Sequence, residues 1–399
     1  MVNKNIPDPP NFKKYGVPFY SVAWVPPAVI RLHQNPPPDE VSGDDAKSDP
    51  PPEPEVVKQT GEHYLAFAGG GGEGRSGIPN AVLLADFHVE SNSLSDQAVG
   101  RLGTDSDLPY RMAVNPGGDG IICAMSNGCR WFEWDRNDSA EIHKLSLKKS
   151  EKVLTQLEDV GQQLALAFNN DGTALATGGE DGNLRVFKWP SMEIILHETK
   201  AHSTIKDLHF SSDGKLLVSL GSAGPCRVWD LSSTMVLTSL SNENREVFSS
   251  CRFSQINDGT QVLYIAAMTD KAGSILTWDT KTWERTGSKH IIRDPISALN
   301  VSADGKFLAC GTPSGDIVVV NSTKLQIQTI IKKAHLGVVT ALTFSPDSRV
   351  LASVSLDSSA RVTIIDDKKK KGGSGLWITL FIILLAIVVY YLKLEGIVK

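Results

Sequence analysis

Apolar and polar positions alternate over short stretches through most of the chain, and each stretch ends in a turn-forming pair. Residues 205–210 (IKDLHF) alternate with period two, SSDG turns the chain, and KLLVSL resumes the alternation. After GSAG (221–224) a third run ends in Val228-Trp229-Asp230. A second copy of this grammar reads LALAF, NNDG, ALATGG, EDGN, LRVFKW, and a third reads VVTALTF, SPDS, RVLASVS, LDSS, ARVTII. These patterns predict short β-strands in hairpins. One stretch departs from them. Residues 376–392 (LWITLFIILLAIVVYYL) carry no charge and no alternation, which predicts a helix at the short end of what spans a bilayer.

The turn signature recurs as Asp119-Gly120, Asp171-Gly172, Asp213-Gly214, Asp258-Gly259, Asp304-Gly305 and, with serine in place of glycine, Asp347-Ser348. A period near 40–45 residues with strands around Asp-Gly turns marks the blades of a WD-repeat propeller. Six turns predict six blades. Residues 61–90 predict a seventh, with HYLAFA and AVLLADFHV as strands; FYSVAW (19–24) is either its inner strand or the strand that closes the ring. The expected fold is all-β: a seven-bladed WD-repeat β-propeller over residues 1–367, followed by a single C-terminal transmembrane helix. His202 and His335 precede inner strands, and Trp229-Asp230 and Trp278-Asp279 end third strands. Their expected role is structural, pinning neighbouring strands through a buried network. Neither histidine is tied to a nucleophile, and no triad or metal cluster supports a hydrolase.

The tail sets the expected topology. Lys368–Lys371 open a basic and glycine-containing linker (368–375) ahead of the anchor (376–392), and only residues 393–399 follow as a short luminal tail. Positive charge beside a short span marks its cytosolic side, so the body is expected to face the cytosol. A 17-residue span suits the thinner bilayer of the endoplasmic reticulum. The first sixteen residues contain no apolar h-region, so no secretory leader is expected. Five scattered cysteines without metal spacing read as reduced core residues. The net charge of −5, with both signs interspersed, argues against a nucleic-acid footprint. Residues 35–55 hold seven acidic side chains, one lysine and runs of proline, which predicts a disordered insertion in the first blade; an interaction tail is the alternative.

One connection breaks the repeat. Where other blades join their second and third strands with GEDGN or LDSS, residues 68–80 read AGGGGEGRSGIPN, with glycine at six of the nine positions from 69 to 77. So many glycines cost conformational entropy, and they allow carbonyls or amides to converge on an ion or a backbone to approach closely. A phosphate-binding P-loop is excluded, because no Gly-Lys-Ser/Thr follows. A kinase glycine loop is excluded by the lack of its companion motifs. A flexible linker is disfavoured by Pro79, which fixes its own φ and biases Ile78 to extended backbone. The expectation is a rigid projection ending in an exposed Ile78-Pro79-Asn80 element, with Glu73 solvated; the alternative for Glu73 is an electrostatic push against a magnesium ion.

With GGGGEGRSGIPN (69–80), the YGVPFYSVAW start, the WD body and the C-terminal span, the chain resembles one family: the endoplasmic-reticulum-anchored guanine nucleotide exchange factors that activate the small GTPase starting COPII coat assembly. The resemblance covers the body and the anchor, and the loop is its specific part. Residues 35–55 depart from compact members, and a plant-type branch that assists cargo export lacks the glycine loop. The resemblance implies exchange without covalent catalysis. It implies a potassium ion bound by main-chain oxygens of the loop, drawn from Gly69, Gly70, Gly71, Gly72 and Gly77 with no individual ligand assigned. It implies Asn80 as the key exchange residue, with Gly74, Gly77, Ile78 and Pro79 contacting the GTPase. A tail-anchored propeller scaffold that aids cargo export without exchange remains the alternative.

Overall fold

The computed structural model describes residues 8–34, 62–74, 76–135, 145–243, 245–255, 259–270, 272–365, 381–388 and 395. The chain divides into two compact units, Met1–Ile364 and Ile365–Lys399. The first unit consists of seven antiparallel sheets. In each sheet the innermost strand packs against the innermost strand of the neighbouring sheet. Phe19–Trp24, Arg111–Val114, Gln163–Phe168, Ile205–Phe210, Val247–Gln255, Ala298–Val301 and Val339–Phe344 thus form a closed ring. This is the expected seven-bladed propeller.

Burial follows position within the blade. Second strands such as Gly120–Met125, Ala174–Gly179 and Val350–Ser355 are buried at every residue, because both of their faces lie between blades. Outer strands such as Met235–Leu240 and Ile327–Ile331 are mostly exposed. Phe19–Trp24 is the inner strand of blade one, pairing with Glu62–Gly69. The ring is closed by a different segment: Phe12–Lys14 supplies the outer strand of blade seven, with Phe12 opposite Arg361 and Lys14 opposite Ser359. An edge that would invite further pairing is thereby removed.

The Asp-Gly turns work by local hydrogen bonding. In blade four, Ser211 Oγ donates to Asp213 (2.6 Å), Asp213 accepts from Lys215 N (3.2 Å), and Ser211 Oγ accepts from Leu216 N (2.8 Å). Ser302 and Asp304 repeat this arrangement, as do Ser345 and Asp347. The left-handed position is Gly214 (φ +67°) in blade four and Ser348 (φ +64°) in blade seven. Ser348 has a compensating bond, since its Oγ accepts from Asp304 N of the neighbouring turn (3.0 Å). The histidines are structural, as expected. His202 Nε2 meets Ser219 Oγ at 2.8 Å, and Trp229 Nε1 donates to the same hydroxyl at 2.8 Å. His335 joins Ser359 (2.6 Å) and Ser353 (2.8 Å) through its two ring nitrogens. Burial, followed by the positive charge of Arg227, lowers the His202 pKa to about 4. Burial also lowers His335 to about 4, against the opposing pull of Asp357.

Antiparallel order fixes two ends. The Asp-Gly turns lie at one end, with the helix Pro27–Gln34 of blade one. Ile364, the last residue of the third strand of blade seven, also reaches that end. Connections between second and third strands lie at the opposite end. In the second unit residues 381–388 are helical, and its large side chains, from Phe381 to Val388, are 48–63% exposed. Among the described residues no helix is long and apolar enough to cross a membrane. The rest of the expected span 376–392, the lysine run and the insertion 35–55 lie outside the described residues.

Candidate functional site

The connection between second and third strands spans two residues in blade two (126–127), four in blade three (180–183) and three in blade seven (356–358). In blade one it spans residues 70–80, between Glu62–Gly69 and Ala81–His88, whose register begins at Gly69 opposite Ala81. The loop therefore grows from a regular ladder with no slip at its base.

Asn80 organises it. Its side-chain Oδ1 accepts from Gly72 N at 2.9 Å, and Nδ2 donates to the carbonyls of Gly72 (3.2 Å) and Asp105 (3.2 Å). Thr104 N donates to the Asn80 carbonyl (3.0 Å), tying in the connection between blades one and two. Gly70 N donates to Pro18 O (3.0 Å) on the other side. Near the tip, Ile78 N donates to Ser76 Oγ at 3.3 Å. The loop is thus stapled at its base by hydrogen bonds from Asn80, Thr104 and Gly70.

The glycines are needed for contact as much as for flexibility. A Cβ at Gly70 would lie 2.0 Å from Asn80 Oδ1, and one at Gly71 would lie 2.1 Å from Ser76 Oγ. Gly72 and Gly77 adopt φ of +77° and +72°. Gly74 has open space around it and no left-handed φ.

The expectation of an exposed Asn80 is corrected. Asn80 is only 3% exposed, because its carboxamide fills the space that the neighbouring glycines leave free. Pro79 is exposed, Ile78 half-buried, and Gly74, Gly77 and Glu73 are exposed. Among the described residues, the exposed ones of the loop are therefore Glu73, Gly74, Ser76, Gly77 and Pro79, and Asn80 lies beneath them. The partners Thr104 and Asp105 were not legible in the sequence, since they lie on a separate connection. That connection is itself braced by ion pairs from Lys149 to Asp105 (3.0 Å) and from Arg130 to Asp107 (2.5 Å).

The loop's donors suit a hard monovalent cation in kind. They are neutral glycine carbonyl oxygens, of the type that replaces the hydration shell of potassium, whereas the Ser76 hydroxyl and the Asn80 carboxamide oxygen already accept from Ile78 N and Gly72 N. Among the described residues no group of three or more His, Cys, Asp or Glu side chains could hold a metal ion, and the five cysteines are buried and unpaired.

The model of the WD domain, G-beta repeat, matches residues 156–188, 194–230 and 326–363. The chain is 50% identical to SEC12-like protein 2 of Arabidopsis thaliana over 92% of this chain and 91% of the relative. It is 33% identical to SEC12-like protein 1 of the same organism, over 79% of each chain. It is 27% identical to the guanine nucleotide-exchange factor SEC12 of Rattus norvegicus, over 83% of this chain and 92% of the relative. Similarity that runs through the whole propeller, and not only through the three matched repeats, places this chain in the SEC12-like family.

Proposed function

We propose that this chain is a guanine nucleotide exchange factor for the small GTPase that starts COPII coat assembly, and that the loop 70–80 performs the exchange. The observation that carries the reading is the stapled loop. It is the long exception among short strand connections, and it is held by an internal framework that leaves its tip exposed. The similarity to proteins named as exchange factors supports it.

Exchange needs no covalent step. The factor must bind the nucleotide-free GTPase more tightly than the nucleotide-bound form, and the difference between those affinities drives GDP out. A loop already fixed by Asn80, Pro18 and Thr104 spends little affinity on being ordered at contact. Ile78 and Pro79 then supply an apolar wedge, while Gly74 and Gly77 let backbone approach the partner closely. Asn80 is a positioning residue, with its donors and acceptor satisfied within the chain. A potassium ion would be held by main-chain oxygens among Gly69, Gly70, Gly71, Gly72 and Gly77. Its charge would offset the repulsion of converging carbonyls and stiffen the loop. Residues 376–392 would anchor the protein in the endoplasmic reticulum membrane with the body in the cytosol. The exposed apolar helix 381–388 supports a lipid-facing tail.

The test is release of a fluorescent GDP from the purified GTPase. Acceleration by this chain is expected, along with slower exchange and a lower melting temperature when sodium or lithium replaces potassium. Binding to the GTPase without acceleration would move the assignment to a tail-anchored scaffold.

A further inference from the structure

Blade seven carries an exposed apolar pair at the same end of the propeller as the loop 70–80. Leu336 is 77% exposed and Leu356 is 39% exposed; the other exposed leucine of the described propeller residues, Leu237, lies on the outer strand Met235–Leu240 of blade four. Leu356 belongs to the connection between second and third strands, the position in blade seven that the glycine-rich loop takes in blade one. Leu336 lies on the connection that leads into the inner strand Val339–Phe344.

The two turns form one plate. Leu336 N donates to the Asp357 carboxylate at 2.6 Å, and Leu356 N donates to Val338 O at 3.4 Å. Gly337 packs so closely that a Cβ there would meet Ser355 Oγ at 3.1 Å and Asp357 N at 3.2 Å. Beneath the plate the His335–Ser359 bond fixes its base. The bonds between the two turns hold both leucines on one face, where covering their apolar surface would be favourable.

The backbone connects this plate to the loop. Ser358 O accepts from Tyr15 N (3.1 Å), and three residues on, Pro18 O accepts from Gly70 N (3.0 Å). Blades one and seven also share one apolar core, in which Phe19, Phe67 and Leu83 pack with Val354 and Val362. From that continuity, and resting on the exchange reading above, we infer that Leu336 and Leu356 are a second contact for the GTPase held by the loop. The loop tip acts on the nucleotide site, and the leucine plate receives an apolar patch of the same partner and sets its orientation. With the loop assigned to the GTPase, a further apolar patch of that same protein is the occupant within reach of both leucines.

The experiment uses the full-length protein in detergent and measures GDP release as its concentration is varied. Leu336→Ser with Leu356→Ser is expected to raise the half-maximal concentration about tenfold and to leave the maximal rate within about twofold. Leu336→Ser alone, at the more exposed position, is expected to raise it about threefold and guards against a folding defect in the double variant. Ile194→Ser, at an exposed site on the outer strand Ile194–Glu198 of blade three, is expected to change neither quantity. An unchanged half-maximal concentration in both leucine variants overturns the inference while exchange by the unaltered protein stands. Loss of self-association at that unchanged value assigns the plate to a second copy of the chain and also overturns it. Failure of the unaltered protein to accelerate release removes the exchange reading, and this inference with it.

Discussion

Blade one and blade seven use the same position for different ends. In blade seven the connection 356–358 is short, and its polar atoms turn inward: Asp357 accepts from Ser359 N at 3.0 Å and from Leu336 N at 2.6 Å, above a buried His335. In blade one the connection is 70–80, and its staple is a buried carboxamide that supports a raised tip. Both are rigid. The first ties the strands of one blade together beneath Leu336 and Leu356, and the second raises an exposed tip above the ladder. Buried polar residues that obey the repeat are thus expected to govern stability, and the loop that breaks it to govern the maximal rate of exchange.

The largest effect expected from that division is at Asn80. Asn80→Ala removes three side-chain hydrogen bonds, so the loop loses its fixed geometry and exchange should fall by about tenfold or more. Because Asn80 is buried, a loss of about 1–3 kcal/mol in stability accompanies it. Full exchange activity in this variant, measured by GDP release, would break the link between the staple and the function. His335→Ala should do the reverse. It removes the imidazole bonds to Ser353 and Ser359 and leaves a cavity in the blade, costing about 2–4 kcal/mol in chemical denaturation, with the maximal exchange rate per folded molecule nearly unchanged.

Acid should act on the same structural half. His209 is buried beside Arg252, and both burial and that charge lower its pKa to about 3; its Nδ1 accepts from Phe253 N (3.2 Å), which a protonated ring cannot do. His202 and His335 lie near 4. All three stay neutral in the folded protein where the unfolded chain, with a pKa near 6.5, takes up protons. Their contribution is therefore complete above about pH 6.5 and is lost progressively as pH falls towards 4 and below. Each group adds a slope of at most about 1.4 kcal/mol per pH unit inside that window. Denaturant midpoints between pH 7 and pH 4.5 check this. A flat profile would mean that the histidines are accessible to protons in the fold.

The contrast also explains what the sequence could disclose. Ser211, Asp213 and Gly214 lie within four residues of one another, so the turn they make is written locally, as are those of Ser302 and Ser345. The loop was visible for the same reason, because six glycines crowd into nine positions. The closing strand Phe12–Lys14 was not visible. Three residues carry no periodicity, and their partners, Ser359 to Arg361, lie at the far end of the propeller sequence. The burial of Asn80 was hidden likewise, since it depends on Asp105 across the blade boundary and on the Cβ atoms that Gly70 and Gly71 lack. A motif read along the chain shows that a loop is unusual, while the direction of its side chains depends on partners elsewhere.

The smallest expected effect separates the two uses of glycine within the loop. Gly71 is enclosed: a Cβ there would lie 2.1 Å from Ser76 Oγ and 2.9 Å from the Ile78 Cβ and carbonyl oxygen. Gly74 meets nothing within 4 Å and has no left-handed φ. Gly74→Ala should therefore leave the melting temperature unchanged, and it even narrows the unfolded ensemble slightly. Any change in exchange by this variant reports on the partner, because within the chain itself the added methyl group has nothing to strike. A loss below about twofold places Gly74 at the margin of the contact. A loss comparable to that of Asn80→Ala, with melting unchanged, would mean that GTPase backbone approaches within a methyl's width of residue 74, and the tip rather than the staple would then set the rate.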